Sequence, residues 1–300
     1  MRRLYVSIFI AILAISLITL ALYVNMQSEK QVLIFISTTT SLYQVGLLDD
    51  LLSDFKNSSR INVEFKILVK GSGEALRLLV DGSSCIAFTH APSLEKTYLE
   101  QGKIERLTIF AYNEFIIIGP RDDPANVSSA DNAIDAFKRI FNAGVSGKVL
   151  FVSRGDLSGT HVRELMLWSL IGVKPHGNWY LRTGQGMTQT LLIADNLNAY
   201  ILVDEGTWRT LREQGKIRNL VELKRDPRLL INVYSVYLSK APNCRENSIL
   251  EVAYKLKEYL MTRGQELLEI KYRDKFRSVK DKIEQVIEAW STLSNIIVVE

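Results

Sequence analysis

From residue 31 onward the apolar positions alternate between two styles. Short runs rich in Val, Ile, Phe and Leu are followed by longer stretches whose apolar residues recur every three or four positions. That alternation predicts strands and helices in turn, the pattern of an α/β protein. Strands are predicted over 32–37, 61–69, 85–88, 115–119, 149–152, 199–203 and 230–238. Helices are predicted over 43–55, 73–80, 93–101, 133–142, 160–171, 187–195, 205–213 and 248–261. The stretch 43–55 shows the helical period most plainly, with Leu47, Leu48, Leu51, Leu52 and Phe55 on one face. Beyond 261 the pattern stays mostly helical, and no internal repeat or low-complexity segment interrupts it.

The joints between strand and helix carry the first functional signal. Ser37-Thr38-Thr39-Thr40-Ser41, Gly71-Ser72-Gly73 and the run from Ser153 to Thr160 each follow a predicted strand and open a predicted helix. In an open parallel sheet such joints line up along the carboxyl edge, where ligands bind. Helix starts there present free N–H groups and the positive end of the helix dipole. Hydroxyls can donate, glycine admits close backbone approach, and the Arg154 guanidinium offers a planar fork. One Ser or Thr before a helix is ordinarily only an N-cap. Three such clusters, one with an arginine, form a donor-rich set suited to an oxyanion. Arg154 either forks that anion or pairs with nearby Asp156. His161 reads as a packing or capping residue, and His176 as an exposed loop residue.

Composition narrows the options. Over 300 residues, 47% hydrophobic and 23% charged is an ordinary globular balance, enough for one or two domains. The formal net charge is +4, and Arg2, Arg3 and Lys30 stand against Glu29 alone in the first thirty residues. The remaining chain is left too nearly neutral for a nucleic-acid surface, so an anion must be held by a local site. Two cysteines and three histidines leave no room for a thiolate zinc or iron–sulfur centre, and no cofactor is expected.

The first thirty residues speak to location. Residues 4–24 carry no charge and follow Arg2 and Arg3. As a helix they would reach roughly 30 Å, the thickness of a bilayer core, with the arginines on the cytoplasmic side. The expectation is an N-terminal transmembrane segment anchoring an extracytoplasmic domain at the outer face of the cytoplasmic membrane. A cleaved signal peptide, giving a secreted or periplasmic protein, is the competing reading. Outside the cytoplasm Cys85 and Cys244 could pair, but two free buried thiols fit the sequence equally well.

Longer motifs add a resemblance. Thr38-Thr39-Thr40-Ser41, the 153–161 run and Gly184-Gln185-Gly186-Met187 together resemble the tungstate-binding proteins of ABC importers. His90-Ala91-Pro92, Tyr112-Asn113-Glu114-Phe115 and Gly119-Pro120-Arg121-Asp122-Asp123-Pro124 fit the same family. So do Ala194-Asp195, Ala199-Tyr200 and Asp204-Glu205-Gly206-Thr207. The resemblance implies an α/β, two-lobed periplasmic-binding-protein-like fold (type II) with two hinge strands. Lobe one would hold 31–111 and 234–300, and lobe two 112–233. It also implies capture of tungstate, or molybdate, between the lobes by a monomer that delivers it to an ABC permease. The ligand set carried over is Thr39, Thr40, Ser41, Ser72, Arg154, Ser158, Gly159 and Thr160, with the 184–187 loop less securely placed. His90 either donates to the ligand or simply fills its joint. Leu157 departs from a frequent second Asp, and the chain after about 265 does not follow the family pattern.

Phosphate-binding proteins of this fold place an Asp after the third strand to accept phosphate's remaining proton. Cys85 to Pro92 offers His90 there and no carboxylate. A proton-free dianion such as tungstate, molybdate or sulfate has nothing to give such an Asp and would be repelled by it. The remaining alternatives are a binding protein for sulfate or phosphate, or an anchored anion sensor. Catalysis is disfavoured. In Gly155-Asp156-Leu157-Ser158-Gly159 the serine falls fourth, off the hydrolase elbow spacing, and Leu76 replaces the third glycine of a dinucleotide fingerprint.

Overall fold

The computed structural model describes residues 12–16, 19 and 31–296. The run 4–24, on which the membrane expectation rests, therefore lies largely outside the described residues. No helix among the described residues is long and apolar enough to cross a membrane.

The elements follow one another as β1 (Val32–Thr39), α1 (Thr40–Gln44), α2 (Leu47–Ser59), β2 (Val63–Lys70), α3 (Ser72–Val80), β3 (Ile86–Thr89) and α4 (Pro92–Glu100). Then come β4 (Ile104–Pro120), α5 (Ala133–Val145), β5 (Phe151–Ser153), α6 (Gly159–Leu170), β6 (Tyr180–Arg182), α7 (Met187–Leu197), β7 (Ile201–Asp204) and α8 (Glu205–Glu213). The chain continues through β8 (Leu220–Lys224), β9 (Ile231–Ser239), α9 (Asn247–Met261), α10 (Arg263–Leu267), β10 (Arg277–Ser278) and α11 (Ile283–Ser294).

β1 lies parallel between β2 and β3, and β9 runs antiparallel to both β3 and β4. β4 carries the chain from one half of the molecule to the other. Ile104 to Glu114 pair with β9, whereas Phe115 to Pro120 pair with β7 and β8. The cores divide at the same place. Ile34, Ile36, Leu51, Phe88, Phe110 and Tyr234 pack with α2 and α9 in one cluster. Phe115 and Ile117 face a second cluster around Phe137, Phe151 and Trp168, and Ile116 and Ile118 face a third around Leu191 and Trp208. Alternate residues of one strand thus serve both faces of the second sheet, which is why 115–118 reads as a continuous apolar run.

Three differences from the predicted elements have local causes. The helix over 43–55 is broken by Gly46, whose φ of 83° is left-handed, so α1 and α2 are separate. β4 begins at Ile104 and not near 115, because register shifts between Arg106 and Thr108 and between Ile109 and Ala111 destroy the strict alternation. β6 and β8 are three and five residues long, too short for a periodic signal.

The cysteines are paired. Cys85, ahead of β3, and Cys244, in a turn after β9, form a disulfide with Cα atoms 5.2 Å apart. The bridge joins positions 159 residues apart, so it restricts the unfolded chain over a long loop. Replacing both cysteines by serine is expected to lower unfolding free energy by about 2–5 kcal/mol, measurable by urea titration. Titration of the unfolded, unreduced chain should find no reactive thiol; two thiols would contradict the pairing.

Candidate functional site

Three strand ends build the site from the first half of the molecule. β1 ends at Thr39 and turns directly into α1, β2 ends ahead of Gly71 and α3, and β3 ends ahead of His90 and α4. From the second half, β5 ends at Ser153 and the loop from Arg154 to Ser158 leads into α6. These joints meet. The Gly73 N–H donates to the Leu157 carbonyl at 3.2 Å, and a Cβ on Gly71 would lie 3.3 Å from Ser158 Cα. Gly159 sits so close to His90 that a Cβ there would come within 2.5 Å of the imidazole Nδ1.

The side chains sort by what their hydrogens already do. Thr39, Ser41, Ser72, His90, Arg154, Ser158 and Thr160 are all buried. Ser158 caps α6, its Oγ accepting from the His161 N–H at 3.3 Å. Ser72 Oγ accepts from the His90 backbone N–H at 3.4 Å. Ser41 Oγ lies 3.2 Å from Thr39 Oγ1 and 3.3 Å from His90 Nε2. Arg154 donates through one terminal nitrogen to Asp156 at 2.6 Å, so the ion pair takes one edge of the guanidinium. Its Nε, together with the hydroxyls of Thr38, Thr40 and Thr160, is buried with no hydrogen-bond partner among the described residues. A buried donor left unpaired costs free energy, so these donors, gathered at the joints, point to a ligand that supplies acceptors.

The nearby carboxylates are occupied. Asp156 accepts from Arg154 with one oxygen and from the Ser158 N–H with the other. Asp204 caps α8, accepting from the Thr207 N–H and hydroxyl at 2.9 and 2.8 Å. Burial pushes the Asp204 carboxyl up from the ordinary value while those bonds and Arg154 pull it down. Glu95, at the third joint, takes four donors: Thr89, the Ala91 N–H, Tyr237 and Trp290. Arg163, one turn into α6, is buried over the Phe115 ring and donates to the Leu229 carbonyl. Burial lowers its pKa to about 9, still a cation at neutral pH, and among the described residues it belongs to no ion pair.

His90 is buried and its pKa is pushed down to about 3 by desolvation, with Arg154 and Arg163 adding to the shift and Asn232 and Asp156 opposing it. It is therefore a neutral imidazole at physiological pH. The loop 184–187 also joins the site. The Gly184 N–H donates to the Arg154 carbonyl at 2.8 Å, and Thr40 Cγ2 lies 3.7 Å from where a Gly186 side chain would begin. Roomier cavities of about 240–380 Å³ elsewhere share no residue with this donor set, so chemistry and not volume marks the site.

Asn113, Asn232, Tyr234 and Asp204 were not among the expected site residues. Asn232 lies 142 positions from His90, its partner, and a lone Asn within an apolar strand carries no local signal. Only Asn113 and Asp204 stood inside motifs noted for their resemblance.

Two lobes that share β4 and β9, with donors converging at strand ends, have the architecture of the periplasmic binding proteins. A family model described as "PBP superfamily domain" matches residues 25–255. A putative ABC transporter anion-binding protein of Haloferax volcanii is 37% identical over 203 residues, 67% of this chain and only 58% of that protein. The tungstate-binding protein TupA of Peptoclostridium acidaminophilum is 33% identical over 232 residues, 76% of this chain and 77% of that one. A crystal structure described as the tungstate ABC transporter from Geobacter sulfurreducens superposes with a TM-score of 0.67 at 35% identity, covering 80% of this chain and 98% of that one. The chain belongs to the PBP superfamily and, within it, to the TupA family of solute-binding proteins.

Proposed function

We propose that this protein captures a proton-free tetrahedral oxyanion, tungstate foremost, between its lobes and delivers it to the permease of an ABC importer. The observation that carries the reading is the set of buried, unpartnered donors contributed by both halves: Thr38 and Thr40 from one, Arg154 Nε and Thr160 from the other. Relatives named for tungstate binding supply the choice of anion. The occupied carboxylates support a proton-free dianion over phosphate, which keeps a proton. Asp156 and Asp204 each already accept a donor on both oxygens and Glu95 accepts four, so these carboxylates are committed to protein donors before a ligand arrives. Arg163, in no ion pair among the described residues, adds positive charge beside the joint, which a dianion offsets.

In this reading Thr40, Arg154 and Thr160 contact the anion, while Ser72, Ser158 and Gly159 bring the facing loops together. The lobes are 31–111 with 234–300, and 112–233. The protein works at the outer face of the cytoplasmic membrane, held there by the uncharged run 4–24 or released after its cleavage.

Titration calorimetry with tungstate, molybdate, sulfate and phosphate tests this. Tungstate is expected to bind at least about a hundredfold tighter than phosphate, whose proton would meet carboxylates already committed to protein donors. Preferential phosphate binding would overturn the reading.

A further inference from the structure

The buried polar groups at the crossing of the two lobes form a chain whose direction is fixed from one end. The Lys275 carbonyl can only accept, and Asn113 Nδ2 donates to it at 3.0 Å. That fixes the Asn113 amide, so its Oδ1 must accept, and it does so from Asn232 Nδ2 at 2.9 Å. Asn232 also donates to the Tyr234 hydroxyl at 2.8 Å, which spends its second amide hydrogen. Its Oδ1, 2.9 Å from His90 Nδ1, is then an acceptor, and the proton between them belongs to the imidazole. A neutral imidazole with its proton on Nδ1 presents a lone pair at Nε2. Ser41, 3.3 Å away, must donate to it. With its one hydrogen committed, Ser41 accepts from Thr39 at 3.2 Å.

Asn113 and Asn232 are directly opposed in the β4–β9 register, where both strands pass between lobes. Thr39 and Ser41 flank Thr40 in the first binding loop. We propose that His90 is a positioning residue: through this one-way chain it ties the Thr39–Ser41 loop to the Asn113–Asn232 pair in the crossing strands. Ser41 is thereby removed from the donor set, leaving Thr40 to face the oxyanion. This deepens the proposed function and rests on it for the identity of the ligand, but the chain itself stands on geometry.

The groups facing His90 are consistent with its neutral state. The Tyr234 ring lies 4.8 Å from the imidazole and Phe115 6.0 Å, and the electrostatic contributions of Arg154 and Arg163 outnumber that of Asp156.

The test has two parts on the 300-residue chain. Nitrogen-15 NMR of the ligand-free protein should show the His90 imidazole with Nδ1 protonated and Nε2 bare, unchanged between pH 5 and 8. A proton on Nε2, or a titration in that range, overturns the chain. Because no ligand is used, this reading is independent of whether tungstate binds. The second part is a double-mutant cycle on tungstate affinity with Ser41→Ala and His90→Gln. Each single change is expected to weaken binding about tenfold, and the pair about tenfold, since both break one bond. Losses that multiply to about a hundredfold would show two independent contacts and overturn the positioning role. A wild-type protein that ignores tungstate while His90 keeps its Nδ1 proton would sink the proposed function and leave the chain standing.

Discussion

Arg154→Lys is expected to raise the dissociation constant for tungstate about 30- to 100-fold while leaving the ligand-free protein folded. The buried guanidinium has two separable tasks. One terminal nitrogen holds Asp156 at 2.6 Å, and Asp156 in turn holds the Ser158 N–H at the start of α6. Nε has no hydrogen-bond partner among the described residues. A lysine can keep the ion pair, because an ammonium is a point charge that can meet a carboxylate. It cannot also present a second, fixed donor from the same rigid plane. The loss is then one charge-assisted hydrogen bond to a dianion, about 2–3 kcal/mol. Calorimetry measures the affinity, and thermal unfolding without ligand checks the fold. Affinity within threefold of wild type would place the oxyanion away from Nε.

Gly159→Ala is the second large effect. Gly159 is the first residue of α6, where alanine would ordinarily gain about 1 kcal/mol in helix propensity. Here the added carbon would lie 2.5 Å from His90 Nδ1 and 2.6 Å from the His90 carbonyl oxygen. The carbonyl belongs to the backbone, and the imidazole is held by Asn232 and Ser41, so neither can yield cheaply. Steric cost, typically about 1–3 kcal/mol in a packed site, outweighs the propensity gain. Part of it is relieved by parting the lobes, which separates Arg154 and Thr160 from Thr40. Tungstate affinity is expected to fall about 5- to 100-fold, with a larger radius of gyration in solution scattering when tungstate is present. Wild-type affinity in this variant would mean that the two joints do not need to meet for binding.

Much of the candidate site is legible in the sequence. Donor-rich joints after predicted strands announce themselves because a strand end, a small polar cluster and a helix start are consecutive in the chain. The Arg154–Asp156 pair lies within one loop, and both of its outcomes could be stated from the sequence. Burial could not be read, nor could the division of the guanidinium between Asp156 and a free Nε. The N-terminal half of β4 was missed because its bulges break the period on which strand recognition depends. His90 stands at the third joint, and the sequence alone does not separate its two readings. Its state is set by Asn232 and Asn113, residues that reach it only when β3, β4 and β9 lie side by side.

The order of apolar and polar positions determined the α/β class, the placing of the joints and the donor chemistry they hold, because each of these is a local property of neighbouring residues. The tertiary structure decided the pairing of Cys85 with Cys244, the contact of Gly159 with His90 and the direction of every proton from Lys275 to Thr39. Those depend on distances between residues far apart in the chain, and a hydrogen bond acquires its direction only when the acceptor at its far end is fixed.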